Sequence, residues 1–351
     1  MNTKPTLRDI ADKVQFSTAT VSMILAGKKL SRFPAETIER VYDAARELKY
    51  TPKHGDDKTG FIVIVCPSII NPYFATLLQG MELMAEKNGY MTIIYNTYWN
   101  LEREKNILAF SKNPAVKGLI FSMIPQQPEL VEKMAELLPI VTVGDRQDAL
   151  RIDTVEVDNF DAGYKMGTHL ISLGHKHVCY VSTMLNKQHS SRVRRYKGLC
   201  ESFNDAALGG TVSLITDTFD TMSELSTVEI EHRTGKALAK RCIRMYPHVT
   251  AIVAINDMVA YGVIDEILEE GLRIPDDYSV CGFDNIYPSQ FCGVGLTTID
   301  HFINRRGQSA FSLLQTKIEN RDIGPVAVTH LEFKNKLVAR MTTGKPRRRL
   351  S

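Results

Sequence analysis

Hydrophobic and polar positions in the first fifty residues repeat with a helical period. Leu7, Ile10, Ala11 and Val14 form one apolar stripe. Val21, Ile24 and Leu25 fall at i, i+3 and i+4 and form a second. Thr6-Leu7-Arg8-Asp9 has the form of a capping box ahead of the first stripe. Ser17 offers a capping hydroxyl to the second helix and Gly27 can end it. Gln15-Phe16 is a tight turn between them. Pro34 is expected at the start of a third helix, whose inner face is Ile38, Val41, Ala45 and Leu48 and which Thr51-Pro52 stops. Three short helices, the first two joined by a tight turn, predict a helix-turn-helix, whose second helix lies in the major groove while the first crosses the backbone. The solvent side of the second helix carries only small polar groups: Thr18, Thr20 and Ser22.

From Phe61 the pattern changes to β-branched runs alternating with amphipathic stretches. Strands are expected at 61–65, 91–95, 118–122 and 140–143, and helices at 73–87, 101–111 and 129–137. A second series follows, with helices at 162–173, 192–206, 229–245 and 258–270 and strands at 178–182, 212–215, 251–255 and 279–282. Continuous apolar strands between helices predict parallel sheets covered on both faces. The expected fold class is an N-terminal all-α helix-turn-helix headpiece followed by an α/β two-lobed core with a cleft between the lobes. The expected boundaries are 1–52 for the headpiece, 53–60 for a linker and 61–343 for the core. Lobe 1 takes about 61–158 and 294–322, lobe 2 about 159–290 and 324–343, and 344–351 is a basic tail. Open α/β sheets bind ligands at the carboxyl ends of their strands. Asn71-Pro72-Tyr73, Asp145-Arg146, Asp158-Asn159, Asn256-Asp257 and Asp284-Asn285 sit at such ends. Carboxylates, amides and an arginine beside an aromatic face suit a polyhydroxylated ligand.

Charge sharpens this picture. Residues 1–53 hold ten Lys/Arg against six Asp/Glu, a net +4, while the rest of the chain sums to −1. A basic module on a near-neutral body points to nucleic acid, with Lys28, Lys29 and Arg32 in the loop after the second helix placed to neutralise phosphates. Six cysteines are scattered without paired spacing, as in a reduced, cytoplasmic protein. No run approaches the roughly 20 apolar residues that span a bilayer. No metal or cofactor is expected. His175 and His177 read as a solvated turn ahead of a metal pair, and Gly293-Val294-Gly295 is too short a glycine pattern to carry a meaning. Phosphate-loop, dinucleotide, zinc-protease and serine-hydrolase signatures are all absent from the sequence, which speaks against an enzyme.

Thr6-Leu7-Arg8-Asp9-Ile10-Ala11, Ser17-x-x-Thr20-Val21-Ser22-x-x-Leu25-x-Gly27 and Glu36-Thr37-x-Glu39-Arg40-Val41 closely resemble the headpiece of LacI-family repressors. By that resemblance Thr18, Ala19 and Met23 face the bases. The likeness continues through Asn71-Pro72-Tyr73-Phe74, Val157-Asp158-Asn159, Arg195-x-x-Gly198, Asn256-Asp257-x-x-Ala260-x-Gly262 and Gly282-Phe283-Asp284, which resemble the family's effector-site motifs. It implies a periplasmic-binding-protein-like core with Arg195, Asn256 and Asp284 on the ligand, and Tyr73, Arg146, Asn159 and Phe219 beside them. Three departures stand out. The linker 53–60 has no leucine and carries Gly55 and Gly60, so the family's minor-groove hinge helix is not expected. Residues 221–232 look like an insertion, and Asp300-His301 stands where the family has Gln-Pro. The resemblance implies a homodimeric repressor of double-stranded DNA operators controlled by a small effector, a sugar before a purine. The alternatives are a cytoplasmic sugar- or purine-binding protein without operator recognition and an α/β enzyme using carboxylates such as Asp158, Asp257 and Asp284.

Overall fold

The computed structural model describes residues 5–25, 30–48, 50, 60–145, 151–185, 190–217, 227, 229–291, 293–320 and 327–347. Gly27, Lys28, Lys29, Arg146 and Phe219, together with the linker from 51 to 59, lie outside the described residues.

The headpiece contains α1 (Leu7–Val14), α2 (Thr18–Leu25) and α3 (Ala35–Glu47). The capping box forms in full: the Thr6 backbone N–H donates to the Asp9 carboxylate at 2.6 Å and the Asp9 N–H donates back to the Thr6 hydroxyl. Pro34 is the N-cap of α3 and not its first helical residue. Its fixed φ near −57° still aims the chain into the helix without needing an N–H. Ile10, Val14, Val21, Ile24, Val41 and Ala45 close a small core in which each helix contributes one stripe.

Lobe 1 is a six-stranded parallel sheet. Its strands are β1 (Phe61–Cys66), β2 (Met91–Asn96), β3 (Val116–Phe121), β4 (Ile140–Asp145), β5 (Asp153–Val157) and β11 (His330–Phe333), in the order β11-β5-β4-β3-β1-β2. Helices α4 (Pro72–Lys87), α5 (Leu101–Phe110) and α6 (Pro128–Ala135) connect its early strands. Lobe 2 holds α7 (Asn159–Leu173), β6 (His177–Ser182), α8 (Ser190–Ala206), β7 (Thr211–Thr216), α9 (Ile230–Met245), β8 (Ala251–Ala254), α10 (Asp257–Glu269) and β9 (Ser279–Cys281). Its sheet runs β7-β6-β8-β9, also parallel. β10 (Thr298–Asp300) pairs antiparallel with β12 (Lys336–Val338), and α11 (Ile303–Glu319) returns to lobe 1 between them.

Three expectations from the pattern change here. Residues 330–333 belong to the lobe 1 sheet, pairing with β5, and not to lobe 2. This edge strand alternates polar and apolar residues, so no continuous apolar run marks it. The beginning of the tail is docked: the Gly344 N–H donates to the Ser279 hydroxyl at 3.1 Å, and Arg347 stacks on Tyr278 at 4.7 Å while bonding the Pro247 carbonyl. His175 is no solvated turn residue. It is buried, pairs with Thr250 and Ser279, and donates to the Gly344 carbonyl; burial lowers its pKa to about 4. Among the described residues no helix is long and apolar enough to cross a membrane.

Candidate functional site

Two surfaces bring candidate side chains together: the outer face of α2 and the cleft between the lobes. On α2, Thr18, Ala19 and Ser22 are exposed and Met23 is half-buried. Ser17 accepts from the Thr20 N–H at 3.1 Å, and the two hydroxyls bond each other at 2.8 Å. Capping therefore occupies Ser17 and turns the Thr20 hydroxyl inward along the helix start. Thr6 is likewise held in its box, Leu7 packs on the headpiece core, and Arg32 is exposed in the turn Leu30–Arg32.

The cleft encloses about 170 Å³ and is lined from lobe 1 by Tyr73, Phe74, Trp99, Ser122 and Met123. Lobe 2 contributes Arg192, Arg195, Glu231, Asn256 and Asp284, while Arg306 and His301 come from the returning segment. Trp99 also packs on the lobe 1 core, whereas Tyr98 lies under the Arg103 guanidinium at 5.0 Å, away from the lining.

Three helix crossings place these groups, and each depends on a pair of glycines. A Cβ at Gly163 would lie 1.9 Å from the Arg195 carbonyl oxygen, and one at Gly198 would lie 2.0 Å from that of Phe160. Helices α7 and α8 can therefore meet backbone to backbone, which brings Arg195 over Asn159. Gly235 and Gly262 do the same for α9 and α10, with clashes of 2.2 and 1.9 Å. This crossing sets Glu231 beside Asn256. Gly80 and Gly307 let α4 meet α11, and there Arg306 donates to the Tyr73 hydroxyl at 3.0 Å.

Arg195 is the hub. It donates to Asn159 Oδ1 at 2.8 Å, to the Ile255 carbonyl at 2.5 Å and to His301 Nε2 at 3.0 Å, and it stacks on Phe283 at 4.8 Å. A guanidinium can only donate, so His301 accepts at Nε2 and carries its proton on Nδ1, which reaches Asn335 Oδ1 at 2.9 Å. Burial holds His301 well below its usual range, and the nearby arginines push the same way. Asp284 lies 3.5 Å from Arg195. Burial raises its pKa well above the ordinary carboxylate value, with Arg195 opposing the shift. Its φ of 120° is a strained backbone for a non-glycine residue, held by an N–H bond to the Ile299 carbonyl.

Glu231 joins the lobes. It accepts from Asn71 of lobe 1 at 2.7 Å and from Asn256 of lobe 2 at 2.8 Å. Both asparagines also cap a helix with Oδ1, α4 and α10 respectively. A second link runs from Asp145 through Arg194 to Asp158. Asp257 accepts from Ser289, Thr298 and the Ile286 N–H; burial raises its pKa to about 6. Asp158 and Asp257 are thus engaged in caps and loop ties.

Of the expected effector residues, the structure brings Tyr73, Asn159, Arg195, Asn256 and Asp284 to one cleft. Arg146 and Phe219 lie outside the described residues. Sequence reasoning missed Glu231, because it sits inside the stretch read as an insertion. It also missed Arg306, on the helix 303–319 that was not anticipated. His301 had a signal, since it stands where the resemblance leads one to expect another residue.

A family model described as the periplasmic binding proteins and sugar binding domain of the LacI family matches residues 57–336. A second, bacterial regulatory proteins of the lacI family, matches residues 6–53. The chain is 31% identical over 348 residues to the HTH-type transcriptional repressor PurR of Aliivibrio fischeri, covering 95% of this chain and 99% of that one. The structure superposes on that of an uncharacterised protein from Actinobacillus succinogenes with a TM-score of 0.72 at 25% identity, covering 82% of this chain and all of the other. A ribose-bound LacI-family regulator from Enterococcus faecium has the same fold, with a TM-score of 0.68 at 23% identity, covering 81% and 99%.

Proposed function

We propose that this chain, which belongs to the LacI family of bacterial transcriptional regulators, is a homodimeric repressor whose operator affinity is set by a sugar held between its lobes. In this reading Thr18, Ala19, Ser22 and Met23 meet the bases, while Arg32, with Lys28 and Lys29, meets phosphates. A single observation carries the ligand class. Every aromatic side chain among the described lining residues, Tyr73, Phe74 and Trp99, comes from lobe 1, and lobe 2 faces them with Arg192, Arg195, Glu231, Asn256 and Asp284. Asn71, Ser122 and Asp145 add polar atoms on the lobe 1 side, and Ile255 and Met258 apolar ones on the lobe 2 side. Aromatic rings confined to lobe 1 and facing the polar groups of lobe 2 suit a sugar's C–H face and hydroxyl edge. The volume near 170 Å³ is close to that of cavities, about 150 Å³, that accept one six-membered ring. A purine is the second reading, supported by the 31% identity to a PurR repressor and by Asn71-Pro72-Tyr73-Phe74. The dimer is supported by Tyr287 and Phe291, an edge-to-face pair 74% and 48% exposed on lobe 2.

Thermal-shift measurements on the full chain against monosaccharides, polyols and nucleobases test this. A monosaccharide is expected to raise the Tm, and Arg195→Ala to erase the rise. A hit only among purines would replace the sugar by the second reading, and a hit that survives Arg195→Ala would move the site elsewhere. The same compound should change operator affinity in a gel shift at fixed salt, because effector and operator binding are reciprocally coupled.

A further inference from the structure

The C-terminal end of α2 is closed by lobe 1. The last carbonyls of a helix have no partners within it. Here the Tyr42 hydroxyl of α3 donates to the Ile24 carbonyl at 3.0 Å. The Leu25 carbonyl accepts from Asn113 Nδ2 at 3.3 Å, and that amide also reaches the Tyr42 hydroxyl at 3.4 Å. Asn113 belongs to lobe 1, in the turn between α5 and β3, and is buried although it is polar. Its Oδ1 accepts from the Ala115 N–H at 2.9 Å, which fixes the side chain. Beside it Lys112 pairs with Glu39 of α3 at 2.5 Å. The turn thus grips both the second and the third helix of the headpiece.

The same turn feeds β3, which pairs with β1 and β4 in the middle of the sheet. β3 is six residues long, roughly 20 Å at about 3.3 Å per residue. At its other end Ser122 and Met123 line the cleft. A central strand therefore has the headpiece on one end and the ligand cleft on the other.

We infer that the Lys112-Asn113 turn is the seat that aims the reading helix, and that Asn113 is a positioning residue through which the attitude of lobe 1 sets the separation of the two headpieces on DNA. The inference rests on the reading of the chain as a dimeric operator-binding regulator. It assigns to a direct contact between folded domains the orienting role that a leucine-bearing hinge would otherwise have, and residues 53–60 contain no leucine. A sheet does not bend easily, so a rotation of lobe 1 on ligand closure would carry α2 with it. The partner recognised through this geometry is a pair of half-sites at one fixed separation.

Selection from a pool of random duplex DNA by the full-length protein, at one stated salt concentration, separates reading from aiming. The wild-type chain is expected to enrich two half-sites at a fixed separation. Asn113→Asp keeps the acceptor for Ala115 and removes the donor to Leu25 and Tyr42. It should leave the base preferences within each half-site unchanged and lower the enrichment of the fixed separation about tenfold. Lys112→Glu should lower it roughly threefold, and adding Glu39→Lys should restore it. The charge-reversal pair carries the test should Asn113→Asp fail to fold, and a merely structural role for the turn would lower half-site binding together with the spacing instead of the spacing alone. An unchanged separation profile in Lys112→Glu, or one that Glu39→Lys does not restore, overturns the inference while leaving operator binding intact. Absence of any paired site with the wild-type chain overturns the parent reading, and this inference with it.

Discussion

The reading helix and the cleft are built in opposite ways. On α2 the functional face is what remains exposed after Val21, Ile24 and Leu25 turn inward, and four of its residues occupy two turns of one segment. In the cleft no two of Tyr73, Arg195, Glu231, Asp284 and Arg306 share an element, and most are buried, with hydrogen bonds already committed to one another or to neighbouring cleft residues such as Asn159, His301 and Asn71. A face made by subtraction tolerates substitution, because little else depends on it. A site made by convergence does not, because each member holds the next.

The largest effect should follow Arg195→Ala. Removing the guanidinium leaves Asp284 and His301 buried without their partner, a loss of about 3–5 kcal/mol, read as a fall in Tm together with loss of any ligand-induced shift. A variant of near wild-type stability would show that the cleft is less interlocked than its bonds imply. Gly198→Ala should come next. It forces a Cβ against the Phe160 carbonyl, costs about 1–3 kcal/mol as overpacking, and weakens ligand binding by shifting Arg195 over Asn159.

The pH dependence of stability tests lobe 2 away from the cleft. His175 is held neutral in the fold, with its pKa lowered from 6.5 to about 4. The unfolded chain therefore takes up the proton first as pH falls. The contribution of His175 should be complete above about pH 6.5 and decline toward pH 4, by at most about 1.4 kcal/mol per pH unit for one proton. Comparison with His175→Gln separates it from the contributions of His301, Asp257 and Asp284. Denaturant titrations of the wild-type chain and of His175→Gln from about pH 7 to about pH 4 should differ by this slope. Glu231→Gln leaves the shape of the interlobe bridge but offers a single acceptor where two amides donate. Ligand affinity is expected to fall about tenfold, near 1.4 kcal/mol, with little change in Tm. The smallest effect on the fold belongs to the reading face. Thr18→Ala combined with Met23→Ala should stay within about 0.5 kcal/mol of wild-type stability, yet relax half-site preference in a binding-site selection. An unchanged preference would place base reading elsewhere.

Local rules account for the headpiece almost entirely, since its caps, stripes and turn are contacts within a few residues. They also account for the strand–helix alternation of both lobes, because buried parallel strands announce themselves as continuous apolar runs. Where those runs fail the reading failed too. β5 carries Asp153, Thr154 and Glu156 in a buried strand, and β11 is an exposed edge, so neither was anticipated. The buried Asp153 carboxylate is paired with Lys317 of the returning helix at 2.8 Å, and Glu156 accepts from the Thr154 hydroxyl at 3.2 Å.

The sequence by itself determined most of the helices and strands, the helix proposed to read DNA, and the chemical types available at the strand ends. Only the tertiary structure decided which of those groups meet. Glycine-to-glycine crossings set Arg195 on Asn159, Glu231 between two caps, and Arg306 on Tyr73, and Asn113 found the end of α2 from 88 residues away. Periodicity is a property of neighbours along the chain, whereas hydrogen bonds inside a cleft belong to neighbours in space. No local pattern encodes the second kind.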